Sequence, residues 1–164
     1  MKISCAIMTI SDTRTEKTDE SGQVLETRIK EAGHLVVDRS LVADEVDAIQ
    51  HQLRALIQNQ QVDVVITTGG TGITRRDITP EAIDPLSTKH IQGFGELFRM
   101  LSYRDIGTST IQSRADAWLC DDTLVFALPG SPNAIRLAWD EILMHQFNIE
   151  HRPCNFVQLL PRIK

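Results

Sequence analysis

Val62-Asp63-Val64-Val65-Ile66-Thr67-Thr68-Gly69-Gly70-Thr71-Gly72 is the stretch on which the fold turns. Residues 62–68 are dominated by β-branched side chains, which suit a pleated strand. They run directly into three glycines within four positions. Glycine reaches dihedral angles barred to other residues and lets a ligand approach the backbone closely. Successive amides in such a turn form a concavity suited to an anion, and the threonines add hydroxyl donors. A tight strand-to-helix turn with no ligand would use the same glycines. The spacing is neither GxxxxGK[ST] nor GxGxxG, which excludes a Walker P-loop and a dinucleotide fingerprint.

Upstream, residues 2–10 are apolar in both alternating sets: Ile3, Cys5, Ile7 and Thr9, then Ala6, Met8 and Ile10. A strand apolar on both faces belongs in the centre of a sheet covered on both sides. Residues 11–19 are polar and turn-forming, and Asp19 or Ser21 can cap a helix that runs to Gly33. A second strand is predicted over 34–41, with Asp44 then standing where an N-cap is expected. Val46, Ile49, Leu53, Leu56 and Ile57 follow at helical spacing.

Downstream, Thr79 reads as the cap and Pro80 as the first residue of a helix over 79–85. Further elements are a helix over 93–103, strands over 115–119 and 123–128, and a helix over 132–145 with Ile135, Ala138, Trp139, Ile142 and Leu143 buried. Residues 146–164 read as irregular. Strands separated by helices imply parallel pairing with right-handed crossovers. The expected fold class is a three-layer α/β/α domain over residues 1–164. Its central sheet is mostly parallel, with a short antiparallel edge hairpin near 115–128. Ligands bind beyond the carboxyl ends of such strands, which singles out loops 11–15, 68–77 and 129–133.

Composition narrows the function. The 164 residues are 41% hydrophobic and 24% charged, the profile of one globular domain. A net charge of −5 argues against nucleic-acid binding by bulk charge, which needs a basic surface. No apolar run approaches the ~20 residues needed to cross a bilayer. The first ten residues read as a strand rather than a signal peptide. Cys5, Cys120 and Cys154 form no CxxC pair, so reduced thiols and a cytoplasmic location are expected. The five histidines show no ligand spacing and read as surface residues, and Trp118 and Trp139 as core. Glu96 and Arg99 are spaced for a solvated i,i+3 ion pair.

Arg75-Arg76-Asp77 follows the glycine loop. The arginines suit a phosphate. An aspartate beside a phosphate calls for a bridging cation, and Mg²⁺ held by a carboxylate and substrate phosphates supplies one. Asp77 otherwise caps the next helix. Asp44 reads as an N-cap. Ser11 and Asp12 end the first strand at the same edge. Pro129, Gly130 and Ser131 end the last strand, either as donors to a second anionic group or as an ordinary turn.

Several motifs in order resemble the MoaB/MogA family of molybdenum cofactor biosynthesis proteins, related to the G domain of gephyrin. They are Thr9-Ile10-Ser11-Asp12 with Asp19 and Ser21-Gly22, Thr67-Thr68-Gly69-Gly70-Thr71-Gly72, Arg76-Asp77-Ile78-Thr79-Pro80-Glu81-Ala82, and Leu128-Pro129-Gly130-Ser131. Gly93-Phe94-Gly95-Glu96-Leu97-Phe98-Arg99, Gly107-Thr108-Ser109 and Arg152-Pro153-Cys154-Asn155-Phe156 are similar to the MoaB branch. The resemblance implies a molybdopterin-binding fold that assembles as a homotrimer or as a hexamer, a dimer of trimers. It implies binding of molybdopterin and of ATP with Mg²⁺, adenylylation of the pterin's terminal phosphate with release of pyrophosphate, and a MoeA-type molybdate insertase as partner. It carries Asp77 and Asp44 over as catalytic, Mg²⁺-holding acids. Thr68, Gly69, Gly70, Thr71, Gly72 and Arg76 fall on the nucleotide and phosphate loop. Ser11, Asp12, Pro129, Gly130 and Ser131 line the site, and Ser113 and Arg114 fall on the pterin side. Two other readings stay open: a non-catalytic molybdopterin carrier, and a nucleotide hydrolase of the CinA type, whose loop resembles GGLGPT where this chain has GGTGITRRD.

Overall fold

The computed structural model describes residues 1–164. Six strands form one sheet: β1 (Ser4–Ile10), β2 (Leu35–Val42), β3 (Val64–Thr68), β4 (Lys89–His90), β5 (Asp116–Cys120) and β6 (Thr123–Leu128). Their spatial order is β2-β1-β3-β6-β5-β4. β1, β2, β3 and β6 run parallel, while β5 is antiparallel to both of its neighbours. The helices are α1 (Glu20–Glu31), α2 (Val46–Gln58), α3 (Thr79–Ile83), α4 (Gln92–Ile106), α5 (Pro132–Ala138), α6 (Met144–Gln146) and α7 (Phe156–Ile163). A π turn, Trp139–Leu143, joins α5 to α6.

The two-residue period of a strand divides the core between two faces. Ile3, Cys5, Ile7, Val64, Ile66, Leu124, Phe126 and Leu128 point to one face and meet α1, α4, α5, the π turn and α7. Ala6, Met8, Ile10, Val65, Val125 and Ala127 point to the other and meet α2 and α3. The predicted three-layer α/β architecture is therefore the observed one. Trp118 and Trp139 are both core residues. All three cysteines are free, and burial pushes the Cys120 thiol up to about 12.

Three predictions are corrected. The antiparallel hairpin predicted near 115–128 forms as β5 and β6, but it is not outermost, because the two-residue β4 lies outside β5. A strand that short has no alternation to read; β5 recruits it through the Thr88 and Ile91 amides, which donate to Leu119 and Ala117 carbonyls. The tail contains α7, whose Val157 and Leu160 are buried. Asn155 caps it by accepting from the Gln158 amide at 2.9 Å. Pro161, a helix breaker in most interiors, sits in its last turn and disguised it. Finally, no Glu96–Arg99 ion pair forms: Arg99 donates instead to the Ala115 carbonyl at 2.9 Å, tying α4 to the start of β5.

Chain direction places the functional loops. The connection from β1 leads outward to β2, and the one from β3 leads the opposite way, through α3 to β4 at the far edge. The crevice beyond the carboxyl ends of β1 and β3 is thus the topological switch point of the sheet, the preferred ligand position in such folds. Loops 11–19, 43–45, 69–78 and 129–131 all leave from that edge. Because β5 is reversed, residues 113–115 enter there too.

Candidate functional site

Gly69 takes φ +106° and Gly70 φ +64°, so the chain turns sharply as it leaves β3. The turn is pinned on both sides. The Gly69 amide donates to the Leu128 carbonyl at 3.0 Å, and the Thr68 hydroxyl to the Pro129 carbonyl at 3.2 Å. The Thr79 amide donates to the Gly70 carbonyl at 3.0 Å, and the Thr79 hydroxyl to the Gly69 carbonyl at 2.8 Å. Thr79 is therefore the first residue of α3 and buttresses the glycine turn instead of capping the helix. The amides of Gly70 and Thr71 make no hydrogen bond within the chain. Two adjacent free donors in a tight turn are the chemistry of an anion cradle.

Two acids flank this turn. Glu45, not Asp44, stands at the N-cap of α2, and it makes no side-chain cap bond. Asp44 faces Asp12 across the edge. The Asp12 amide donates to Asp44 Oδ2 at 3.1 Å, and the Asp44 amide donates to Asp12 Oδ1 at 3.0 Å. Asp44 Oδ1 lies beside Gly70, close enough to touch a side chain added there. Burial, then the charges of Asp77 and Glu45, push the Asp44 carboxyl up. Asp77 lies against Gly72, and its Oδ2 accepts the Thr74 amide at 2.8 Å and the Thr74 hydroxyl at 2.6 Å. Burial pushes the Asp77 carboxyl up, but the Thr74 and Gly72 donors and the Arg114 charge outweigh it and hold it below the usual range. The acids are thus driven apart, one readily ionised and the other reluctant.

Asp44 and Asp77 are the residues at this edge that could hold a divalent cation. No group of three or more His, Cys, Asp or Glu side chains gathers as an all-protein metal centre. A cation here would draw its remaining ligands from phosphate and water, the habit of Mg²⁺. Arg76 pairs with Asp12 and stands 3.8 Å from Glu45, spanning the mouth of the site. Arg114 is bound into the loop itself, with its Nε donating to the Gly72 carbonyl at 2.6 Å. Ser113 lies beside it, and its Oγ accepts from the Ala115 amide at 3.3 Å. Ser11 Oγ accepts the Thr13 and Arg14 amides, both at 3.2 Å, and so shapes its own turn. Ser131 Oγ caps α5 by accepting from the Ala134 amide at 3.2 Å.

The structure adds residues that sequence reasoning did not assign to the site. Arg14 Nη2 and the Ser21 hydroxyl both donate to the Gly130 carbonyl, at 2.6 and 2.8 Å, and so hold the 129–131 loop against Gly69. Behind them lies Asp19, only 2% exposed. It caps α1 through the Gly22 amide at 3.0 Å, accepts the Thr9 hydroxyl at 2.8 Å, and pairs with Arg39 at 3.1 Å. Burial pushes its carboxyl up, but these donors prevail and hold it below the usual range. A carboxyl lowered on folding contributes stability above its unfolded value and loses it as pH falls through the folded value. Asp19→Asn is therefore expected to cost about 1–3 kcal/mol at neutral pH. In urea melts the gap from the wild type should close as pH drops below the ordinary carboxylate range; a gap that does not depend on pH would sink this assignment.

The comparisons agree with the fold and the loop arrangement. Residues 6–148 match the model of the family described as a probable molybdopterin binding domain. Molybdenum cofactor biosynthesis protein B of Escherichia coli (strain K12) is 50% identical over 151 residues, covering 92% of this chain and 89% of that protein. A crystal structure of a molybdenum cofactor biosynthesis protein B superposes with a TM-score of 0.90 at 43% identity, covering 99% of this chain and 96% of that one. The tungsten cofactor synthesizing protein MoaB from Pyrococcus furiosus gives 0.79 at 36% identity, with 93% and 98% covered. The sheet order, the glycine loop and these similarities together place the chain in the MoaB/MogA family of molybdenum cofactor biosynthesis proteins, in its MoaB branch.

Proposed function

We propose that the chain acts in molybdenum cofactor biosynthesis, binding molybdopterin and adenylylating its terminal phosphate with ATP and Mg²⁺. The observation that carries this reading is the pairing, at the switch point of the sheet, of two free amides with two mutually repelling carboxylates. Amides alone invite one anion. Amides beside acids suit a phosphate that arrives with a cation, and Mg²⁺ on Asp44 and Asp77 would neutralise the joined phosphates. In the reaction, an oxygen of the pterin phosphate attacks the α-phosphorus of ATP. A new P–O bond forms, the α–β bridging bond breaks, and pyrophosphate leaves with the electron pair. Joining two anions demands positioning and charge neutralisation more than a covalent nucleophile. The Gly70 and Thr71 amides and Arg76 supply those terms from the loop side. Ser11, Asp12, Pro129, Gly130 and Ser131 border the bound substrates. Residues 1–164 act as one unit in this reading, and a MoeA-type molybdate insertase takes the product.

The test incubates the purified protein with molybdopterin, ATP and Mg²⁺ and follows pyrophosphate release and the adenylylated pterin. Product in the full mixture and none in EDTA is the expected result. A second reading, a non-catalytic molybdopterin carrier, is favoured by one observation. Asp77 Oδ2 is already used to build its own loop through Thr74, a duty that a binding module would keep. It predicts pterin affinity with no pyrophosphate.

Self-association belongs to the same reading. α4 and the turn after it expose Leu97, Met100, Tyr103, Ile106 and Ile111, the last 78% exposed. Such apolar exposure suits a subunit interface. Light scattering is expected to give three or six times the chain mass, and a monomer would remove this assembly.

A further inference from the structure

Arg114 is far in sequence from every side chain and carbonyl that its guanidinium grips. Its Nε donates to the Gly72 carbonyl at 2.6 Å, its Nη2 donates to the Asp77 carbonyl at 2.7 Å, and its Nη1 pairs with Glu81. Its own amide donates to the Thr71 carbonyl at 2.8 Å. Gly72 and Asp77 are the two ends of one loop segment, so a single planar group closes residues 72–77 into a ring. Inside that ring Asp77 Oδ2 receives both Thr74 donors. Every nitrogen of the guanidinium is used by the protein. Glu81, in the first turn of α3, holds the outer nitrogen. The fixed fork of arginine can serve three acceptors in one plane, whereas the ammonium of lysine is a compact point charge.

We infer that Arg114 is a positioning residue: by gripping both ends of the 72–77 loop it sets where Asp77 presents its carboxylate, and Glu81 orients Arg114. This deepens the proposed function and rests on its assignment of Asp44 and Asp77 as the Mg²⁺-holding acids. Groups that orient metal ligands typically matter about 10–100-fold in metal affinity.

The test measures ATP binding to the full chain by calorimetry, once with Mg²⁺ and once with EDTA, for the wild type, Arg114→Lys and Glu81→Gln. Molybdopterin binding is measured alongside. The wild type is expected to prefer ATP with Mg²⁺. Arg114→Lys should lose about tenfold or more of that preference, with ATP affinity in EDTA kept. Glu81→Gln should lose a smaller part in the same direction. A merely structural role lowers melting temperature and binding stoichiometry and leaves the preference intact, which would overturn the inference. Loss of pterin affinity with the preference kept would overturn it too, and would make Arg114 a direct pterin contact. Should Arg114→Lys not fold, Glu81→Gln carries the test, because the Glu81 side chain is 54% exposed and tolerates the change. A wild type with no preference overturns the assignment of Mg²⁺ to Asp44 and Asp77 and this inference with it. A wild-type preference that survives in both variants overturns the role of Arg114 alone.

Discussion

Asp77→Asn is expected to reduce adenylylated product by about 100-fold or more while leaving the fold intact. An asparagine Oδ1 can still accept the Thr74 amide and hydroxyl that Asp77 Oδ2 receives now, so the loop keeps its shape. What disappears is the charge. Without it, Asp44 alone remains to hold a cation, and the two substrate phosphates repel each other with less to offset them. The same substitution removes one of the charges that push the Asp44 carboxyl up, after burial itself. Asp44 should therefore titrate nearer the usual carboxylate range in Asp77→Asn than in the wild type, which carbon-13 NMR of the carboxyl group reads directly. Product formation equal to that of the wild type would sink the catalytic role. An unmoved Asp44 would show that the two acids do not feel each other.

Gly69→Ala is expected to be strongly destabilising. Gly69 sits at φ +106°, where an L side chain is strained, and a methyl group there would run into the backbone carbonyl of Ile10 at the end of β1. That carbonyl cannot rotate away without moving a central strand. Backbone strain of about 1–3 kcal/mol and overpacking of about 1–3 kcal/mol together approach the whole stability of a marginal domain. Gly33 is the control. It also has a positive φ, +81°, but a methyl group there meets nothing within 4 Å. Gly33→Ala should cost only the conformational strain, about 1–2 kcal/mol. Urea midpoints at unchanged slope measure both, and equal losses at the two positions would refute the steric account.

Local structure is readable in advance where the chemistry is local. The glycines after β3, a cap at Asp19 or Ser21, of which the structure uses Asp19, and the buried stripe over 132–145 each depend on neighbours within a few positions. Asp44 was misread for the same reason. A position before a helix suggests a cap, yet its true partner is Asp12, 32 residues away. Arg14, which supports Gly130, and Arg114, which closes the loop after Gly72, act across 116 and 42 residues. No spacing rule connects such pairs.

The linear order of residues is enough to settle the layered α/β architecture, because strand and helix periods are written into consecutive side chains and hydrophobic burial enforces them. It also marks the glycine loop, because positive φ angles need glycine whatever surrounds them. Folding in three dimensions settles everything that relies on partners brought from afar. The outermost strand β4 exists only because β5 offers it an open edge, and α7 only because a capped apolar face finds the core. The two acids come near each other only because β2 and β3, the strands before them, end at the same edge of the sheet on either side of β1. Hydrogen bonds and Coulomb forces act over a few ångströms of space, and chain separation leaves no trace of which groups will share them.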